Sequence, residues 1–404
     1  MDATKTVTRW PYLVVGVISM LFAGIIYAWS ILKAPLAAEF HWTPAALALN
    51  FTIMMCFFCV GGVLSGIMTR GMGVKAPIIT GGILTFLGFF LTSRMSGAST
   101  TVLYLSYGVL TGCGVGMAYN AVISGTMSWF PDKAGTCSGA LMMGFGASTL
   151  VLGTVASSLI QSIGWRNTYV VLAVAIGAIL VVTGLIIKLA PADAQFPKPT
   201  KTKAKRGEDF EPRDYTAAEM TRRSTFWRFF LYCILSAAIG NTVISAAKDI
   251  SISVGAAAAL ATTLVGVLSI CNGLGRILSG ALFDAFGRRT TMLIANTITI
   301  AAPAVTLAAV LNSSIALCVV GLCLCGLSYG CAPTITSAVI SSFYGPKNFS
   351  LNFSIANTFL IPTSFVATLA GSFVTKTGSF TSTFIMLLVF SIAALGFNLS
   401  IKRP

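Results

Sequence analysis

The chain has 404 residues, of which 56% are hydrophobic and only 9% are Asp, Glu, Lys or Arg, against about 25% charged residues in an ordinary soluble protein. With a mean hydropathy of +0.87, a soluble globular domain and a disordered chain are both excluded, because this much apolar surface needs an apolar solvent. The net charge of +15 is confined to short gaps between apolar runs, so it points to loops obeying the positive-inside rule and not to a nucleic-acid face.

A helix needs about 20 apolar residues to cross the hydrocarbon core of a bilayer. Twelve runs meet that length: 10–33, 44–69, 74–93, 99–127, 135–160 and 167–189, then 224–247, 256–283, 290–311, 314–342, 349–374 and 379–401. The first is too long for the apolar region of a signal peptide and is read as a span. Residues 1–189 therefore form a six-helix bundle and residues 224–404 a second one. Between them, 190–223 is rich in proline and charge, including Pro197, Lys198, Pro199, Lys205, Arg206, Glu208 and Asp209. It reads as a solvated linker with a short amphipathic helix near Tyr215–Arg223. Of the 26 Lys and Arg, five (Lys33, Arg94, Arg166, Lys248, Lys376) fall on one side of the membrane and Arg276 falls inside a span. The remaining 20 share the side of the termini and linker, so both termini are expected in the cytoplasm.

The ten cysteines all lie inside apolar runs, where thiols act as small packing groups. Cys56 and Cys59 have a metal-site spacing but no second pair, and His41 is the only histidine. No metal and no cofactor is expected.

A shift of 214 residues brings the two halves into register. Arg9 meets Arg223, Gly66-Ile-Met-Thr-Arg-Gly-Met-Gly73-Val-Lys75 meets Gly280-Ala-Leu-Phe-Asp-Ala-Phe-Gly287-Arg-Arg289, Lys133 meets Lys347, and Gly164 meets Gly378. Six spans plus six in parallel repeat is the layout of a transporter whose site lies between the halves near the midplane.

The segment Gly280 to Arg289 resembles the signature loop between spans eight and nine of the major facilitator superfamily. Its counterpart at 66–75 carries Arg70 where the acid stands. Trp129-Phe-Pro-Asp-Lys133-Ala-Gly135, Tyr27-Ala-Trp29-Ser30 and the surroundings of Arg276 resemble the oxalate/formate antiporter branch, which is related to monocarboxylate carriers. The resemblance covers nearly the whole chain and implies an all-α membrane protein of twelve helices working by alternating access. Physical chemistry gives the signature loop its own logic. Gly280 and Gly287 permit close helix approach and a sharp turn, while Asp284, at an electronegative helix end, needs cations such as Arg288 and Arg289. Such a cluster can latch one conformation and release in another, so these five residues are the candidate gate.

Arg276 lies eight residues before Asp284, about 12 Å inside the membrane at 1.5 Å per residue. A central Arg costs about 2.5–3.5 kcal/mol on insertion scales, and no Asp or Glu lies within the middle of any span. The simplest counter-ion is a substrate anion, gripped through two parallel hydrogen bonds. The competing account, snorkelling to the surface, is made awkward by this depth and by Asn272 and Ser269 on the same helix face. Tyr27, Tyr119 and Tyr329 can complete the site with apolar rings and polar tips. In related carriers, residues resembling Arg276, Tyr119 and Tyr329 contact the substrate. Trp29 reads as packing.

One Arg neutralises a monoanion. Dicarboxylate-handling relatives add a second cation in span eleven, whereas no Lys or Arg occurs here between Lys347 and Lys376. Lactate, pyruvate, formate and similar ions are favoured, with oxalate:formate exchange as the alternative. Related proton symporters often carry an Asp four residues before the arginine, and this chain has Asn272, which leaves proton symport and anion exchange both open. A sensor signalling through the linker is a distant alternative, and nothing resembles the nucleophile–base pair of an enzyme. The expected partners are a small organic anion, the lipid bilayer and, as the candidate coupling ion, the proton. No nucleic acid is expected, and the chain is expected to be a monomer of a bacterial inner membrane.

Overall fold

The computed structural model describes residues 9–97, 99–191, 196 and 213–403. The linker residues Pro197 to Asp209 named above lie outside the described residues. In chain order the helices are α1 (Trp10–Ala23), a 3-10 turn (Gly24–Ala28), α2 (Trp29–Phe40), α3 (Pro44–Met72), α4 (Lys75–Ser93) and α5 (Thr100–Leu103). A π-helix (Tyr104–Thr111) then leads into α6 (Gly112–Met127), and α7 (Ala134–Ile186) follows. The second half holds α8 (Ala217–Thr221), α9 (Ser224–Ser253), α10 (Ala258–Leu311), α11 (Ile315–Tyr344), α12 (Phe349–Asn357), α13 (Leu360–Thr377) and α14 (Thr381–Ser400).

Ten helices among the described residues are long and apolar enough to cross a membrane, and two of them run for 53 residues. At 1.5 Å per residue, 53 residues reach about 80 Å, far beyond a core about 30 Å thick. Each long helix is broken at one glycine, Gly164 (φ 77°) in α7 and Gly287 (φ 74°) in α10. One crossing on each side of each break makes the total the twelve expected from the sequence. The first crossing runs further than expected, through the 3-10 turn to Phe40. Its acidic end is satisfied there, since Glu39 accepts from Arg166 Nη2 at 2.6 Å and from Trp165 Nε1 at 2.6 Å.

The chain divides into two compact units, residues 1–148 with 152–202, and residues 149–151 with 203–404. In the first, α3 and α4 pack on α6; in the second, α10 packs on α11, α9 and α14. The second unit's core is apolar, with Ile239, Val243, Leu268, Leu322, Phe384 and Leu387 all buried. Large apolar side chains such as Leu105, Val182, Phe365 and Val389 stand exposed, as lipid-facing positions require.

The 214-residue repeat extends into the backbone. Gly73 (φ 69°, ψ −178°) and Gly287 (φ 74°, ψ 178°) share one conformation, in a region that is essentially glycine-only. Gly164 and Gly378, and His41 and Gly255, are likewise matched positions with positive φ. The close helix contacts repeat as well. A Cβ on Gly61, Gly112 or Gly116 would overlap the carbonyl of Cys113, Met54 or Phe58, respectively. A Cβ on Gly275, Gly326 or Gly330 would overlap that of Leu327, Leu268 or Asn272, in each case 214 residues on. Small residues let backbones approach in this way, so α3 against α6 and α10 against α11 are the same seam built twice.

Candidate functional site

Arg276 sits in the first crossing of α10 and is 2% exposed, the most voluminous of the side chains that are almost wholly buried. Asn272, one turn earlier and 8% exposed, accepts from Arg276 Nε at 3.2 Å. Snorkelling is therefore not what this arginine does. The guanidinium is held along its own helix, and its burial means that full hydration has been given up.

The α10–α11 seam sets the position of this pair. A Cβ on Gly330 would overlap the Asn272 carbonyl and lie 3.0 Å from the Arg276 nitrogen, so α11 rests directly on the backbone that carries both polar groups. Tyr329 is the residue before Gly330 and is 5% exposed. From the other side Gly240 of α9 admits the Tyr329 ring, which a Cβ there would overlap. Arg276, Asn272 and Tyr329 are thus gathered by glycine contacts among three helices of the second unit.

Tyr27 and Tyr119 belong to the first unit and meet around Phe145. The Tyr119 ring lies 5.0 Å from Phe145 and 5.1 Å from Phe58, and Tyr27 stands edge-on to Phe145 at 5.3 Å. Tyr27 reaches this position from the 3-10 turn, where a Cβ on Gly24 would overlap the Phe145 carbonyl. Sequence reasoning missed Phe58 and Phe145. The repeat held a signal for the first, because Phe58 corresponds to Asn272 across the 214-residue shift. Trp29 packs on Tyr107 at 4.6 Å and donates to the Leu47 carbonyl at 3.1 Å, which is a structural role. Lys248 and Asp249 are exposed near the end of α9.

The candidate gate residues surround the break in α10. Asp284 is half-buried in the last turn before Gly287, Gly280 is buried, and Arg289 is exposed. The Arg288 guanidinium lies 5.1 Å from the centre of the Phe343 ring, which Arg403 also approaches at 6.0 Å. A further ion pair lies at the start of the first crossing. Arg9 makes a two-fold bond to Asp132, with Nη2 donating to Oδ2 at 2.9 Å. That carboxylate raises the Arg9 pKa above its ordinary value, mainly through the hydrogen bond.

A model of the Major Facilitator Superfamily matches residues 12–247 and 229–404. The uncharacterized MFS-type transporter YhjX of Escherichia coli is 28% identical over 350 residues, covering 86% of this chain and 84% of that protein. Monocarboxylate transporter 12 of Mus musculus is 30% identical over 143 residues, 35% of this chain and 27% of that one. Among solved structures, the E. coli fucose:proton symporter FucP superposes with a TM-score of 0.70 at 14% identity, over 98% of this chain and 99% of that one.

Proposed function

The chain belongs to the major facilitator superfamily, and on that premise we propose that it is a secondary carrier of small monocarboxylate anions such as lactate, pyruvate and formate, working by alternating access. The observation that carries this is Arg276, an arginine 2% exposed within a membrane crossing and bonded through Nε to Asn272. With Nε held by Asn272, the guanidinium is oriented rather than adaptable. Its fork matches the two oxygens of a carboxylate, and a charge-assisted pair of this kind is about twice as strong as a neutral hydrogen bond. Tyr329, next to the Gly330 that packs on this backbone, offers a ring for a short carbon tail and a hydroxyl for its polar end; Tyr119 and Tyr27 are the candidate substrate contacts of the first unit. The likeness to monocarboxylate transporters supports the same substrate class.

One arginine balances one negative charge, which favours a monoanion. Asp284, Arg288 and Arg289 with Gly280 and Gly287 act as the gate, breaking and remaking contacts around the α10 bend as the site alternates. The chain works in a bacterial inner membrane as a monomer with both termini in the cytoplasm, a placement supported by the 20-to-5 bias of its basic residues.

The second reading is anion exchange of the oxalate:formate kind, and the Arg276–Asn272 bond favours it. The residue seated on the arginine is an amide, which cannot carry a proton across the cycle. Uptake of labelled lactate, pyruvate, formate and oxalate into proteoliposomes separates the two. Symport is expected to respond to an inward proton gradient, and exchange to unlabelled anion inside. Transport of none of these anions by the wild type, or normal transport by Arg276→Gln, would overturn the assignment of the site.

A further inference from the structure

The repeat breaks at one joint, and a segment from outside the repeat repairs it. In the first unit Arg9, at the start of the first crossing, pairs with Asp132 and lies 4.8 Å from the centre of the Phe130 ring. That joint ties α1 directly to the corner between α6 and α7. Across the 214-residue shift these positions become Arg223, Pro346 and Tyr344. Proline supplies no carboxylate, so the second unit cannot build the same ion pair between α9 and the corner joining α11 to α12.

Residues 213–216 occupy the gap. Asp214 Oδ1 accepts the backbone N–H of Lys347 at 3.0 Å, and the Tyr215 N–H donates to the Tyr344 carbonyl at 2.9 Å. The Tyr215 carbonyl accepts from Asn348 Nδ2 at 3.1 Å and from Asn352 Nδ2 at 3.0 Å. Its ring, 4% exposed, stands edge-on to Tyr344 at 5.5 Å, with the Arg223 guanidinium 5.6 Å from its centre. Tyr215 thus lies where Arg223 would otherwise meet Tyr344, and Asp214 brings a carboxylate to the residue after Pro346.

The corner is shaped for this visitor. Gly345 has φ 78°, and a Cβ there would overlap Asp214 Oδ1. Asn352 is fully buried, and a buried amide is costly to leave without an acceptor. We propose that residues 213–216 are a strap that completes this joint and that its docking controls how freely the α11–α12 corner moves against α9. In the first unit the carboxylate is part of the corner loop and stays with it. In the second it arrives on a separate stretch of chain held by four hydrogen bonds and one ring, so it can release while the helices remain folded. The transport half of this inference rests on the carrier reading above, because α11 carries Tyr329 and packs on Arg276; the docking half does not.

Hydrogen–deuterium exchange on the full-length protein in lipid nanodiscs, comparing wild type with Asp214→Ala, Asp214→Asn, Tyr215→Ala and Tyr215→Phe, tests the docking. A hydrogen bond to a charged acceptor predicts that Asp214→Ala speeds exchange of the Lys347 amide by about 10-fold or more. Tyr215→Ala should loosen residues 344–352 together. Asp214→Asn keeps an acceptor and Tyr215→Phe keeps the ring, so both should stay near wild type. Exchange at 344–352 unchanged in both alanine variants would overturn the strap. The same variants in proteoliposomes should change maximal velocity with little change in half-saturating substrate, and a loosened corner with unaltered velocity would overturn its control of transport. If the wild type carries none of the anions tested, the carrier reading fails while the exchange data still decide the strap.

Discussion

Arg276 is the residue on which the proposed transport chemistry turns, and its binding and structural roles separate under mutation. A charge-assisted pair is worth about 1.5–3 kcal/mol, so Arg276→Gln should weaken anion binding by roughly 10- to 150-fold. Arg276→Lys, which keeps the charge but loses the planar fork, should recover only part of that. Glutamine keeps an amide N–H that can donate to Asn272, so the melting temperature of Arg276→Gln should stay near wild type while binding collapses. Calorimetric anion titration beside a thermal melt checks both, and a parallel loss of stability would mean that the arginine is structural. Asn272→Asp would place a carboxylate within reach of the guanidinium and should compete with the substrate, lowering affinity at neutral pH. A gain in affinity would show that Asn272 does not act through Arg276. A charged residue in an apolar run is legible in sequence, because its cost depends on the local solvent alone. Tyr329 was also named from the sequence, but the packing of Gly330 on the Asn272 and Arg276 backbone was not, because those positions lie more than 50 residues apart in the chain.

At the scale of elements, the breaks and seams carry the predictions. Gly287→Ala forces a side chain into a conformation that only glycine adopts readily, at a cost of about 1–3 kcal/mol. Gly73→Ala should cost about the same if the repeat is real in energy as well as in geometry. A Cβ on Gly330 has no room against the Asn272 carbonyl, and overpacking of this kind costs about 1–3 kcal/mol. Gly330→Ala should therefore lower the melting temperature and also disturb anion binding, whereas Gly184→Ala, whose Cβ would overlap the Ile79 side chain, should lower the temperature alone. Equal effects on binding would place the site elsewhere. Outside the membrane, α8 begins with a capping box in which Thr216 Oγ1 accepts from the Glu219 N–H and Glu219 Oε2 accepts from the Thr216 N–H at 2.8 Å. The Thr216 backbone bond, ahead of its hydroxyl, holds the Glu219 carboxyl below its ordinary value. The stabilisation is then complete above a carboxylate's usual pKa of about 4.3 and is lost as pH falls through the lower folded value. Protection of the Thr216 amide, corrected for intrinsic exchange, should drop in acid; constant protection would contradict the cap. The sequence pointed to a helix near Tyr215–Arg223 from amphipathic pattern, yet the helical part is Ala217–Thr221 and Tyr215 is buried against the α11–α12 corner. Pattern marks an apolar face without saying what covers it.

For the whole molecule, the charge bias predicts that reporters fused to either terminus will read the cytoplasmic side, and opposite readings from the two ends would mean an odd number of crossings. Length, hydropathy and the 214-residue shift by themselves determined that the chain is all-α, crosses the membrane twelve times and is built as a repeat. These are one-dimensional properties: a crossing needs a certain length of apolar chain whatever surrounds it, and a duplicated fold keeps its glycines at duplicated positions. The tertiary structure alone decided that Arg276 is bonded to Asn272 and backed by Gly330, that Phe58 and Phe145 gather Tyr27 and Tyr119, and that Asp214 and Tyr215 complete the joint Pro346 leaves open. Each of these depends on how far a helix is rotated and how closely two backbones approach. That is set by contacts between residues distant in the chain, and no local pattern records them.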